Sequence, residues 1–141
     1  MHDFDLNKKT AIITGGAQGF GLDIAKRFIN SGCKVRIWDI DETELKKASN
    51  EINSDKLNYD VVDVSNFTQV KNTAGKIAEN SNIDILINSA GITGPTAELW
   101  NYEINEWLKI IEINLHGTFY CCKAVIPYMI KNNYGRIVNI A

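Results

Sequence analysis

Short apolar runs and stretches of helical periodicity alternate along the whole chain. Ala11-Ile12-Ile13, Ile83-Asp84-Ile85-Leu86-Ile87 and Ile137-Val138-Asn139-Ile140 are nearly continuous apolar runs, as expected of strands buried on both faces. After the first of them, Leu22, Ile24, Ala25, Phe28 and Ile29 recur at helical spacing. The pattern predicts strands over 10–14, 34–39, 57–62, 83–88 and 135–141, and helices over 18–31, 41–53, 66–80 and 104–132. Gly32 suits a C-cap of the first helix, and Asp41 and Asn66 suit N-caps of the next two. Such alternation predicts an α/β fold: a doubly wound parallel sheet of five strands, with right-handed crossovers and helices on both faces. No linker, repeat or low-complexity stretch interrupts it, so residues 1–141 read as one domain, long enough to bury a core.

The last helix is apolar on more than one side, through Trp107, Ile110, Ile111, Leu115, Phe119, Cys122, Val125, Ile126 and Met129. One side covers the sheet; the rest needs a partner subunit or further chain. Pro127 removes one helical hydrogen bond and predicts a kink in the last turns.

Composition narrows the class. Apolar residues make up 45% and charged residues 23%, with a net charge of −2. That describes a soluble globular chain without a basic nucleic-acid surface or an acidic tail. No apolar run approaches the ~18 residues of a membrane span, and Met1-His2-Asp3-Phe4-Asp5 lacks the apolar core of a signal peptide. A cytoplasmic location is expected. The three cysteines, Cys33, Cys121 and Cys122, have no framework spacing and read as small core or interface fillers rather than disulfides. No cluster has metal-ligand spacing, so no metal is expected. His2 falls in the terminal arm, and His116 reads as a packed or surface histidine.

The chemistry concentrates in Thr14-Gly15-Gly16-Ala17-Gln18-Gly19-Phe20-Gly21, a glycine-rich turn between the first strand and the first helix. Backbone N–H groups and the helix dipole make such a helix start an anion site suited to a pyrophosphate. Glycines let the backbone approach the phosphates. The second strand ends on Asp39, 18 residues after Gly21, close to the spacing of about 20 for a carboxylate that binds ribose hydroxyls. The same end of the sheet carries Asp63, Asn88 and, in the long helix, Asn114. Each has a plainer reading: Asp63 as a cap for the helix near Asn66, Asn88 as a partner for turn backbone, Asn114 as a solvated or partly buried helix residue.

The glycine spacing is T-G-x-x-x-G-x-G, with Gly15, Gly19 and Gly21. With Val62-Asp63-Val64, Asn88-Ser89-Ala90-Gly91, Ile113-Asn114-Leu115 and Tyr134-Gly135-Arg136-Ile137-Val138-Asn139-Ile140-Ala141, it resembles the short-chain dehydrogenase/reductase family in its single-domain form. Ser89 replaces the second asparagine of the family's N-N-A-G. The resemblance implies a Rossmann fold, its five strands in the order 3-2-1-4-5, and a dinucleotide held by Gly15, Gln18, Gly19, Phe20, Gly21, Asp39, Ile40, Asp63, Val64, Asn88, Ala90 and Gly91. It makes Asn114 the family's catalytic asparagine. Asp39 would repel a 2′-phosphate, so NAD is expected over NADP. Gln18 stands where NADP-preferring relatives often carry a basic residue.

The resemblance also implies hydride transfer between nicotinamide and a secondary alcohol or ketone. It looks like members acting on sugar acids or other polyols, and like 3-oxoacyl-carrier-protein reductases. It implies a homo-oligomer, dimer or tetramer, and no nucleic-acid or membrane partner. In the family's mechanism a tyrosinate is the general acid/base, with its pKa lowered by a lysine, and a serine orients the substrate oxygen. That serine would be the residue after Ala141, and Tyr-x-x-x-Lys would lie further on. Residues 1–141 are therefore expected to be the cofactor-binding half, incomplete at its C-terminus and inactive alone. The rival expectation is a dinucleotide-binding module without catalysis, and a third is the product of an incomplete reading frame.

Overall fold

The computed structural model describes residues 4–141; His2 and its terminal neighbours lie outside them. Five strands, β1 (Thr10–Thr14), β2 (Lys34–Asp39), β3 (Leu57–Val61), β4 (Ile85–Asn88) and β5 (Arg136–Asn139), form one sheet in the order β3-β2-β1-β4-β5. Every neighbouring pair is parallel. Between them run α1 (Gly19–Asn30), α2 (Glu42–Ile52), α3 (Phe67–Asn80), α4 (Ile104–Ile111) and α5 (Gly117–Lys131). This is the doubly wound arrangement that the alternation predicts.

Side-chain alternation along the strands divides the core in two. Ala11, Ile13, Val35, Ile37, Ile85 and Ile87 pack with α1 and α2 through Ala25, Leu45 and Ala48. Ile12, Trp38 and Leu86 face the opposite way and pack with α3 and α5 through Val70, Ala74, Ile77, Cys121, Val125 and Met129. Helix boundaries follow local chemistry. Asp41 accepts from the Glu44 N–H at 3.1 Å and Asn66 from the Gln69 N–H at 3.1 Å, so both are N-caps as expected. α1 closes when the Gly32 N–H bonds Ile29 O and the Cys33 N–H bonds Phe28 O. This double closure is the Schellman pattern.

Some boundaries differ from expectation. β4 starts at Ile85, two residues late, because Asp84 closes the end of the sheet instead. Its N–H bonds Thr10 O, and its carboxylate accepts from the Thr10 N–H at 2.9 Å. β5 starts at Arg136 because Tyr134 N–H still closes the preceding helix on Met129 O. The helix expected over 104–132 is α4 and α5 joined by a π-helical turn, Glu112–His116. α5 continues through Pro127 to Lys131. No helix among the described residues is long and apolar enough to cross a membrane.

Candidate functional site

Parallel strands all end on one side of the sheet, and the loops leaving them surround a cavity of about 200 Å³. Gly15 from the β1 turn borders it, with Trp38, Asp39 and Ile40 from β2 and Val62, Asp63 and Val64 after β3. Ala90, Gly91 and Ile92 after β4 and Ile113 from the π turn complete the lining.

The turn after β1 is held by backbone. Gly16 N–H donates to Trp38 O at 3.1 Å, and Ala17 N–H donates to Asp39 Oδ2 at 3.3 Å. Gly21 is required by close approach: a Cβ there would stand 2.2 Å from Gly15 O. Gly19 is required by its backbone (φ +53°), yet a Cβ there would meet nothing within 4 Å. The space above that residue is open, as a bound pyrophosphate would need.

The start of α1 differs chemically from those of α2 and α3. Asp41 and Asn66 side chains cap the latter two, whereas Gln18 makes no side-chain cap bond and the first turn of α1 carries no acidic residue. Its N–H groups keep their positive end of the helix dipole free for an anion. Asp39 Oδ1 accepts from Asp41 N–H at 3.2 Å and Oδ2 from Ala17 N–H. An ionised carboxylate has about four acceptor positions, so Asp39 is fixed and still has capacity for hydroxyl donors. The set fits a dinucleotide: an uncapped helix start, open space over glycine, a fixed carboxylate and an apolar recess.

The predicted cofactor residues divide into three groups. Gly15, Asp39, Ile40, Asp63, Val64, Ala90 and Gly91 meet at the cavity. Gln18, Gly19, Phe20 and Gly21 lie along the adjoining turn and first turn of α1, outside its lining; Phe20 is exposed. Asn88 does not line the cavity. It is buried, donating from Nδ2 to Asn139 Oδ1 at 2.9 Å and to Cys122 Sγ at 3.4 Å, with Oδ1 unpartnered. Its partners are side chains of the neighbouring strand and helix, not turn backbone. Asp63 is not the helix cap; Asn66 is. The Asp63 carboxylate instead folds the approach, accepting from Ser65 N–H at 2.9 Å and Ser65 Oγ–H at 2.6 Å.

Asn114 is exposed rather than partly buried, and its side chain is nonetheless fully engaged. Its Oδ1 accepts from Ile92 N–H and its Nδ2 donates to Ile92 O, both at 2.9 Å. This two-point clasp ties the loop after β4 to the π turn. Trp38 and Ile92 were left out of the sequence reading, and Thr14 and Ile113 were quoted within motifs without a role of their own. Thr14 Oγ1 accepts from Ser89 N–H at 3.1 Å and Ala90 N–H at 3.0 Å. Ile92 adjoins one quoted motif and Ile113 belongs to another, so their position was available; that they meet at the cavity was not. The cysteines are free thiols. Burial pushes Cys121 up to about 12 and Cys33 up to about 11, which keeps both protonated and unreactive at neutral pH.

Comparison with known proteins agrees with this geometry. The short chain dehydrogenase profile matches residues 9–141, and the chain belongs to that family. It is 42% identical over 134 residues to a 2-dehydro-3-deoxy-L-rhamnonate dehydrogenase (NAD(+)) of Sphingomonas sp. (strain SKA58), covering 94% of this chain and 53% of that protein. A 3-oxoacyl-acyl-carrier-protein reductase of Chlamydia muridarum is 39% identical, covering 96% and 56%. A solved NAD+-bound xylitol dehydrogenase superposes with a TM-score of 0.91 at 31% identity, covering 96% of this chain and 54% of that one. The chain thus spans about half the length of these relatives.

Proposed function

We propose that these 141 residues form the NAD-binding part of an oxidoreductase that moves hydride between nicotinamide and a secondary alcohol or ketone. The observation that carries this reading is Asp39, fixed by two backbone N–H groups at the edge of the cavity with acceptor capacity left over. When bound, the dinucleotide supplies the hydride acceptor or donor. The chain's own residues do the rest. The α1 start receives the pyrophosphate, Asp39 takes the ribose hydroxyls, and Ile40, Asp63, Val64, Ala90 and Gly91 enclose the base. Gly15, Gln18, Phe20 and Gly21 shape the turn, and Asn88 braces the ends of β4 and β5. Asn114 positions the loop at Ile92 and, by family resemblance, takes part in proton transfer. The family's serine and Tyr-x-x-x-Lys positions fall beyond residue 141. We therefore assign these residues cofactor binding and assign no residue here the main acid–base step. The named relatives support sugar acids or 3-oxoacyl groups as the substrate class.

Cofactor preference tests the reading. An ionised Asp39 repels a 2′-phosphate, so titration should favour NAD over NADP at least tenfold, about 1.4 kcal/mol. Asp39→Ala should erode that ratio. Equal affinity of the parent chain for the two cofactors would overturn the assignment.

The reading also makes the protein a homo-oligomer of the cytoplasm. Free thiols suit a reducing compartment. α4, the π turn and α5 expose Ile104, Trp107, Leu108, Leu115, Phe119 and Ile130, and the edge strand β5 exposes Ile137 and Val138. Apolar helix faces and unpaired apolar strand edges drive association. Sedimentation at micromolar concentration should show dimers or larger species with dye-binding apolar surface. A sharp monomer peak would contradict this.

A further inference from the structure

Three side chains on neighbouring strands form a hydrogen-bonded group beneath the cavity. Trp38 is completely buried, borders the cavity and shares a core cluster with Val62 and Val64, two more of its lining residues. Its one polar atom, the indole Nε1–H, donates to Asp60 Oδ2 at 3.2 Å across the β2–β3 pairing, where Trp38 and Asp60 are direct partners. Asp60 is itself gripped by Arg36, which donates from Nε to Oδ2 at 2.9 Å and from an Nη to Oδ1 at 2.7 Å. Such a bidentate fork fixes the plane of the carboxylate.

We infer that Asp60, held by Arg36, is a positioning residue that sets the orientation of Trp38 and so the shape of the base end of the cofactor cavity. The physical ground is that an indole in a core has one orientation in which its N–H finds an acceptor. Here that acceptor is a charged group that cannot itself turn. Val62 and Val64 share the ring's core cluster and line the same cavity, so a displaced ring would move the cavity wall with it. A recess shaped in this way favours a purine of matching outline over a smaller pyrimidine. This inference rests on the dinucleotide reading above.

The test is the ratio of dissociation constants for 5′-UDP and 5′-ADP with the full 141-residue chain. A loss of folded protein raises both constants equally and leaves the ratio alone, whereas a reshaped cavity changes it. The parent should prefer ADP by about tenfold or more, in keeping with one extra contact of about 1.4 kcal/mol. Asp60→Leu, which removes the acceptor, should bring the ratio within about threefold of unity. Asp60→Asn, which keeps an acceptor oxygen, should restore most of it. Trp38→Phe, which removes the N–H and part of the ring, should lose it even if the leucine variant fails to fold. A parental ratio retained in Asp60→Leu or Trp38→Phe would overturn the positioning role and leave the cofactor reading intact. A parent chain that binds neither nucleotide would overturn the cofactor reading itself.

Discussion

Replacing Gly21 by alanine should damage both the fold and nucleotide binding, whereas replacing Gly19 should damage mainly binding. The added methyl at Gly21 meets Gly15 O at 2.2 Å. That atom is backbone, so the turn itself must shift. Overpacking of this kind costs about 1–3 kcal/mol of stability. It also moves the N–H groups at the start of α1 away from their common focus, so NAD affinity should fall by at least about tenfold beyond the loss of folded protein. At Gly19 the added methyl meets no protein atom, although the positive φ of +53° imposes strain of roughly 1–2 kcal/mol on an L-residue. The methyl projects into the space we assign to the phosphates. Urea unfolding and calorimetric titration separate the two effects. A Gly19→Ala protein that binds NAD as the parent does would show that this space is not the ligand's.

The contrast between these two glycines also shows what the residue order carried and what it left out. A strand, a glycine-rich turn and a helix start are consecutive, so the turn, its place in the fold and Asp39 at the end of β2 were legible. The parallel, doubly wound sheet followed from strict alternation of strand and helix, while the order of its strands came with the family resemblance. The π turn at Glu112–His116 was not legible. It adds to one turn of a helix whose apolar pattern reads through it unbroken. Asn114 bonds Ile92, 22 residues earlier, and no local pattern announces such a pair. The Arg36–Asp60–Trp38 group was hidden for the same reason, since it exists only once β2 and β3 pair in register. Asn88 shows the converse. Its motif pointed to the right end of the sheet, but nothing local announced that its buried amide would bond Asn139 and Cys122 on the neighbouring strand and helix.

Thr14→Val should be among the most destabilising conservative substitutions in the chain. Thr14 is the last residue of β1, where β4 leaves the sheet and its following N–H groups lose their ladder partners. A β-branched residue suits the strand, and its hydroxyl replaces the missing carbonyls by accepting from Ser89 N–H and Ala90 N–H. Valine preserves shape and burial at this side chain, which is 1% exposed, but it accepts nothing. Each N–H left unpaired in a buried setting costs about 1–3 kcal/mol. Both bonds are partly buried, which points to the low end for each and a total of about 2 kcal/mol. Because Ala90 and Gly91 border the cavity, the same change should weaken NAD binding. Thr14→Ser separates the two contributions of the side chain. It keeps the acceptor and loses one methyl, about 0.8 kcal/mol of burial, so it should retain NAD affinity while losing less stability. The two variants should differ in urea midpoint with unchanged slope. If Thr14→Val proved as stable as Thr14→Ser, the hydroxyl would be a bystander, and the ends of β1 and β4 would be held by their ladder alone.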